Sequence, residues 1–201
     1  MVPGGKPRSL VWTRSQPAHS RRRTTTIPSC NPNAYTVDVK RTDTSEWPCT
    51  IARTASVLGD HWNILLIRQA CLGTRRFEEF HQALGTGRNI LTIRLNQLVA
   101  DGFFDRVQYQ TSPSRSEYRL TQKGRDVFPI LAAMAAWGDR YMTGPEGTPL
   151  VLHHTVCNHD THAVVVCAEC AEPIDVRQIL AKPGPGYKPD NNDLTPSHLT
   201  N

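Results

Sequence analysis

Apolar residues recur at helical spacing from about Cys49 onward, with Gly or Pro only at positions where an element can end. A first helix is predicted from Thr50 to Leu58, stopped by Gly59. A second starts at Asp60, a good N-cap, and carries Ile64, Ile67 and Cys71 on one face before Gly73. A third spans Arg76 to Leu84, with Phe77, Phe80 and Leu84 in line. Gly85-Thr86-Gly87 reads as a turn. A fourth helix, Arg88 to Ala100, aligns Leu91, Leu95 and Leu98 and stops at Asp101-Gly102. The period then changes to two: Val107 and Tyr109 alternate with Arg106 and Gln108, and Tyr118 and Leu120 alternate with Glu117 and Arg119. Thr111-Ser112-Pro113-Ser114 lies between these runs, so they predict a hairpin. A long helix follows Thr121-Gln122-Lys123-Gly124. Its Val127, Ile130, Met134, Trp137 and Tyr141 keep the 3,4 spacing that a second helix would bury, and Gly144-Pro145 closes it.

Two short helices joined by a tight Gly-containing turn and followed by a two-stranded hairpin give the order of a winged helix-turn-helix. The predicted fold class is therefore mainly α with a small β wing. The second helix of the pair can enter a major groove. Its leucine stripe leaves Asn89, Thr92, Ile93, Asn96 and Gln97 wholly or partly off the core, with Arg88 and Arg94 nearby. Arg and Asn can make bidentate contacts to base edges, and apolar groups can meet a thymine methyl. Arg76, Arg106, Ser112 and Arg115 are the candidate contacts before this helix and on the hairpin, where a cation among small polar groups suits phosphate or the minor groove. The same element order also serves in dimerisation modules, so the pattern alone leaves an interaction module without specific DNA binding as an alternative.

Composition sharpens the boundaries. Residues 1–48 are rich in Pro, Ser, Thr and Arg without apolar periodicity and are expected to be a disordered basic leader. Residues 181–201, rich in Pro, Gly, Asn and Asp, are expected to be a disordered tail. Charge is uneven: residues 1–48 carry 8 Lys/Arg against 3 Asp/Glu, residues 49–142 carry 12 against 8, and residues 143–201 carry 3 against 7. A basic front and middle suit a polyanionic partner, whereas the acidic end does not. No run approaches the roughly 18 apolar residues of a membrane span, and no apolar stretch follows the early charges as in a signal peptide, so a cytoplasmic protein with no membrane partner is expected.

Residues 49–142 resemble the HxlR family of bacterial winged-helix regulators. The resemblance rests on Cys49, Gly59-Asp60-His61-Trp62, Leu72-Gly73-Thr74-Arg75-Arg76-Phe77, Leu91-Thr92-Ile93-Arg94-Leu95-Asn96-Gln97-Leu98 and Asp101-Gly102-Phe103. It continues through Thr111-Ser112-Pro113, Glu117-Tyr118-Arg119-Leu120-Thr121-Gln122-Lys123-Gly124 and Ala136-Trp137. It departs where the family often has Ile-Ser before the recognition helix, here Thr86-Gly87, and Pro after the opening Cys, here Thr50. The resemblance implies a transcriptional regulator, more often a repressor, that binds double-stranded DNA as a homodimer built by the terminal helices. Arg88 to Ala100 would lie in the groove, the hairpin would be the wing, and Val127, Ile130, Met134, Trp137 and Tyr141 would form the dimer seam.

Two further chemistries stand beside this frame. Cys49 sits at a predicted helix start, where unsatisfied N–H groups favour a thiolate, so it is a candidate sensor of oxidants or electrophiles; its alternative is a small packed residue. Cys71 lies on an apolar helical face and is read as core. In residues 143–180, His153-His154-Thr155-Val156-Cys157-Asn158-His159 is followed, across an apolar strand Val164–Val166, by Cys167-Ala168-Glu169-Cys170. His154, Cys157, Cys167 and Cys170 supply the four ligands that a structural Zn2+ prefers, in a small zinc-ribbon-like extension, with His153 or His159 as substitutes for His154. Similar extensions of some HxlR-like regulators usually have Gly after the ligand cysteines, where this chain has Asn158 and Ala171, so a small strand pair without metal is the alternative. An enzyme is not expected: the His-x-Glu pair of zinc deaminases, a Ser/His/Asp cluster and a phosphate-cradling Gly loop are all absent from the sequence.

Overall fold

The computed structural model describes residues 43–186. Most of the expected leader, residues 1–42, and most of the expected tail, residues 187–201, lie outside the described residues. Helices α1 (Thr50–Leu58), α2 (His61–Cys71), α3 (Phe77–Leu84) and α4 (Arg88–Ala100) precede an antiparallel hairpin of β1 (Phe104–Gln110) and β2 (Arg115–Leu120). A short α5 (Gln122–Arg125) leads into α6 (Phe128–Tyr141), and a second hairpin, β3 (Leu152–His154) with β4 (His159–Thr161), lies in the C-terminal extension.

Local chemistry accounts for these ends. The Asp60 carboxylate accepts the Trp62 N–H at 3.0 Å and starts α2. Glu79 accepts the Arg75 and Arg76 N–H groups at 3.0 and 2.9 Å and so closes the N-terminus of α3, where Arg76 is the N-cap rather than the first helical residue. Gly85 ends α3 at φ 62°, a left-handed geometry that costs a glycine little. The Thr121 hydroxyl accepts the Gly124 N–H at 3.1 Å and donates to the Gly102 carbonyl at 2.7 Å, tying α5 to the loop after α4.

The core lies where these elements meet. Leu91, Leu95 and Leu98 of α4 are fully buried, together with Leu66 and Ile67 of α2 and Phe80 of α3. Phe80, Phe104 and Tyr118 form an edge-to-face triad with centroids 6.3 to 6.4 Å apart, which joins α3 to both strands of the hairpin. The Tyr118 N–H also donates to the Arg75 carbonyl at 2.8 Å, so the segment before α3 runs beside β2. Gly124 packs so closely that a Cβ would stand 2.3 Å from the Phe103 carbonyl oxygen.

Three sequence expectations need correction. The long C-terminal helix starts at Phe128, after the short α5, and Val127 at its N-cap is buried in the core of its own chain, so it does not lie on the outer seam. The run Val164–Val166 is not a strand; it makes one isolated bridge, Val166 to Pro173. Residues 43–48 are not a featureless lead-in: the Thr44 hydroxyl donates to the Ala52 carbonyl at 2.9 Å, and the Trp47 N–H donates to the Thr44 carbonyl at 3.2 Å.

Candidate nucleic-acid interface

The α3–turn–α4 unit presents α4 with its leucines inward and a polar face outward. Asn89, Thr92, Ile93, Asn96 and Gln97 are all exposed, as the stripe requires. Thr92 and Gln97 are partly engaged: the Thr92 hydroxyl donates to the Arg88 carbonyl at 2.8 Å, and Gln97 donates to Asp101 at 2.9 Å. Asn89 and Asn96 make no side-chain hydrogen bond among the described residues. Ile93 is 63% exposed and Ile90 is 44% exposed. The outer face of α4 thus sets two apolar side chains beside the amides of Asn89 and Asn96. Sequence reading missed Ile90; the signal was its place outside the Leu91, Leu95, Leu98 stripe.

The two arginines of α4 differ. Arg88 is exposed and makes a bidentate pair with Glu78 of α3, Nη1 to Oε2 at 2.9 Å, with its guanidinium 5.2 Å from the Phe77 ring centroid. That guanidinium holds the Glu78 carboxyl below the usual carboxylate range. Arg94 does not project with the outer face. Its guanidinium lies 2.7 Å from the Asp60 carboxylate, whose side chain is 8% exposed, and it clamps α4 to the start of α2. This is a correction to its expected place beside the base-reading residues.

Arg76 lies at the start of α3 with its guanidinium 5.2 Å over the Tyr109 ring of β1. On the hairpin, Arg106 of β1 stands opposite Tyr118, and Arg115 opens β2 opposite Gln110. Both are exposed and make no ion pair among the described residues. Ser112 is exposed at the tip, where its carbonyl accepts from Gln110 at 3.0 Å. The hairpin therefore carries two uncommitted cations beside a polar tip.

Cys49 is the N-cap of α1, as expected, half-buried and making no side-chain capping bond. Cys71 packs against the core, and burial pushes its thiol up. The four expected metal ligands fall into two pairs. His154 Nδ1 is 3.2 Å from the Cys157 sulfur, and the backbone N–H groups of Cys170 and Glu169, with the Cys170 side chain, lower the Cys167 thiol. Among the described residues, no three His, Cys, Asp or Glu side chains converge as a ready metal site.

The helix pair, its buried leucine stripe and the adjoining hairpin define a winged helix-turn-helix protein. Comparison with known proteins agrees. The sequence profile of the HxlR-like helix-turn-helix family matches residues 57–146. An uncharacterized HTH-type transcriptional regulator of Mycobacterium tuberculosis, Rv3095, is 40% identical over 139 residues, covering 69% of this chain and 88% of its own length. One from Synechocystis, sll1512, is 37% identical over 95 residues, covering 47% and 70%. Among solved structures, the candidate transcription factor PA1607 superposes with a TM-score of 0.64 at 35% identity, over 70% of this chain and 98% of its own. PA1374 of Pseudomonas aeruginosa, another candidate transcription factor, gives 0.50 at 33%, over 70% and 95%. The chain belongs to the HxlR-like helix-turn-helix family; it is a transcription regulator and not an enzyme.

Proposed function

We propose that two copies of this chain bind double-stranded DNA sequence-specifically and repress transcription by occupying promoter DNA. The observation that carries this reading is the outer face of α4, where Asn89, Asn96, Ile90 and Ile93 are exposed while the leucines beneath them are fully buried. That face combines amide groups able to pair with adenine edges and apolar groups able to meet thymine methyls. Arg106 and Arg115 on the wing supply phosphate or minor-groove contacts, and Arg76 and Arg88 flank the groove helix.

Dimerisation is supported by α6. Ile130, Met134, Trp137 and Tyr141 all stay exposed along it, and the Trp137 and Tyr141 rings meet at a tilt with centroids 5.3 Å apart. A second α6 laid along this stripe would bury it, setting two α4 helices on successive half-sites about one helical turn apart. Cys49, at the head of α1, is the proposed input for a thiol-reactive signal. The cytoplasm, where the DNA is, is the proposed place of action; among the described residues no helix is long and apolar enough to cross a membrane.

Footprinting on the DNA upstream of the protein's own and neighbouring genes tests this reading. Protection at two half-sites about 10 base pairs apart is expected. Equal, weak binding to every duplex would overturn it and leave an interaction module. Repeating the footprint with a thiol-reactive compound tests Cys49: loss of protection in the native chain, but not in Cys49→Ser, assigns the signal to that thiol.

A further inference from the structure

The segment after α6 is ordered around nothing of its own. From residue 143 to 186 no residue is buried, and Val156, Val164, Val165, Val166, Ile174 and Val176 all face solvent. A piece this small without an apolar core needs another source of order, commonly a metal.

Two of its turns have the same form. In the first, His154 and Cys157 are followed by Asn158 at φ 58°, whose N–H donates to the His154 carbonyl at 2.8 Å. In the second, Cys167 and Cys170 are followed by Ala171 at φ 59°, whose N–H donates to the Cys167 carbonyl at 2.9 Å. These are the two described non-glycine residues at positive φ, and alanine adopts that conformation poorly. Each turn holds a pair of ligands close together: His154 Nδ1 lies 3.2 Å from the Cys157 sulfur, and Cys167 and Cys170 sit on the one turn closed by the Ala171 N–H.

We infer that the two turns are the halves of one structural Zn2+ site, with His154, Cys157, Cys167 and Cys170 as its tetrahedral ligands. The halves do not converge in the chain alone, so it is the ion that draws them together. Nine residues, 158–166, separate the inner ligands and can span about 30 Å when extended, so a single chain can close the site. Binding releases the three thiol protons to solvent and uses the neutral imidazole of His154. His153 is otherwise engaged, with Nδ1 2.8 Å from Asp160 and Nε2 3.3 Å from Asn158, so it braces the first turn rather than serving as a ligand.

The test uses the full chain purified without chelator, with Zn2+ content measured by mass spectrometry and Co2+ titrated as a spectroscopic probe after metal removal. About one Zn2+ per chain and the visible absorption of tetrahedral, thiolate-bound Co2+ are expected. Cys157→Ser, Cys167→Ser, Cys170→Ser and His154→Ala should each lose most of the metal and gain protease cleavage within residues 143–186, while DNA affinity persists. His153→Ala should keep the metal. A native chain that holds no Zn2+ and gives no tetrahedral Co2+ spectrum overturns the inference, and that result stands even if every variant proves insoluble. So does metal content unchanged in both Cys167→Ser and Cys170→Ser. Loss of DNA binding by the native chain would instead strike the regulator reading and leave the metal result intact.

Discussion

On α4, two side chains two positions apart are put to different uses. Asn96 projects to solvent without a side-chain partner among the described residues, whereas Arg94 is drawn sideways onto Asp60. Removing one member of a largely buried ion pair is destabilising, at a cost of up to about 3–5 kcal/mol when burial is complete. Because Arg94 is 33% exposed, Arg94→Ala should cost less, on the order of 1–3 kcal/mol in urea unfolding. Asn96→Ala should leave unfolding unchanged and cost about 1–3 kcal/mol of affinity for the preferred site, with little effect on unrelated duplexes. A stability loss in Asn96→Ala, or none in Arg94→Ala, would reverse this division of labour. The division was partly legible in sequence. Position 94 is three residues after Leu91 and four before Leu98, which places it on the flank of the buried stripe; that its partner would be Asp60 was not legible, because nothing local links residues 34 apart. Gly124 gives a second test: Gly124→Ala should destabilise by roughly 1–3 kcal/mol through its clash with the Phe103 carbonyl.

At the scale of elements, α6 has two unlike faces. Leu131 and Ala132 are buried toward the chain's own core, while Met134 and Trp137 look outward. An acidic residue in the outward stripe would be buried without a partner in a dimer but merely solvated in a monomer. Trp137→Asp should therefore convert the protein to monomers in sedimentation at micromolar concentration while leaving the far-UV spectrum of the winged helix intact, and should weaken operator binding. Helices α1 and α4 were readable because Gly59 stops the first, and Gly87 and Asp101-Gly102 bound the second, whose leucine stripe runs its length. Two things escaped. The separate α5 and the turn before α6 are set by tertiary contacts: Val127 is held in the core, and Lys123 and Arg125 donate to the carbonyls of Asp101 and Leu120, both at 2.7 Å. Val164–Val166 has the composition of a strand but meets a partner at only one bridge.

For the whole molecule, the regulator reading makes affinity an ionic-strength experiment. If Arg106 and Arg115 of both copies meet phosphates, the logarithm of affinity should fall with the logarithm of salt concentration, at a slope near −0.9 per phosphate neutralised. Replacing Arg115 by Ala in both copies should lower the magnitude of that slope by about 2 and weaken specific and unrelated duplexes alike. A slope that does not change would remove Arg115 from the interface. The pairing of Arg88 with Glu78 then has a thermodynamic consequence. The guanidinium arrives at the duplex already carrying an anion, so a phosphate must displace a carboxylate of the same chain rather than water and salt alone. Glu78 is in effect an internal competitor that taxes every encounter equally and leaves sequence contacts to decide which ones last. Glu78→Gln should then tighten binding to arbitrary DNA more than to the preferred site, narrowing the gap between them.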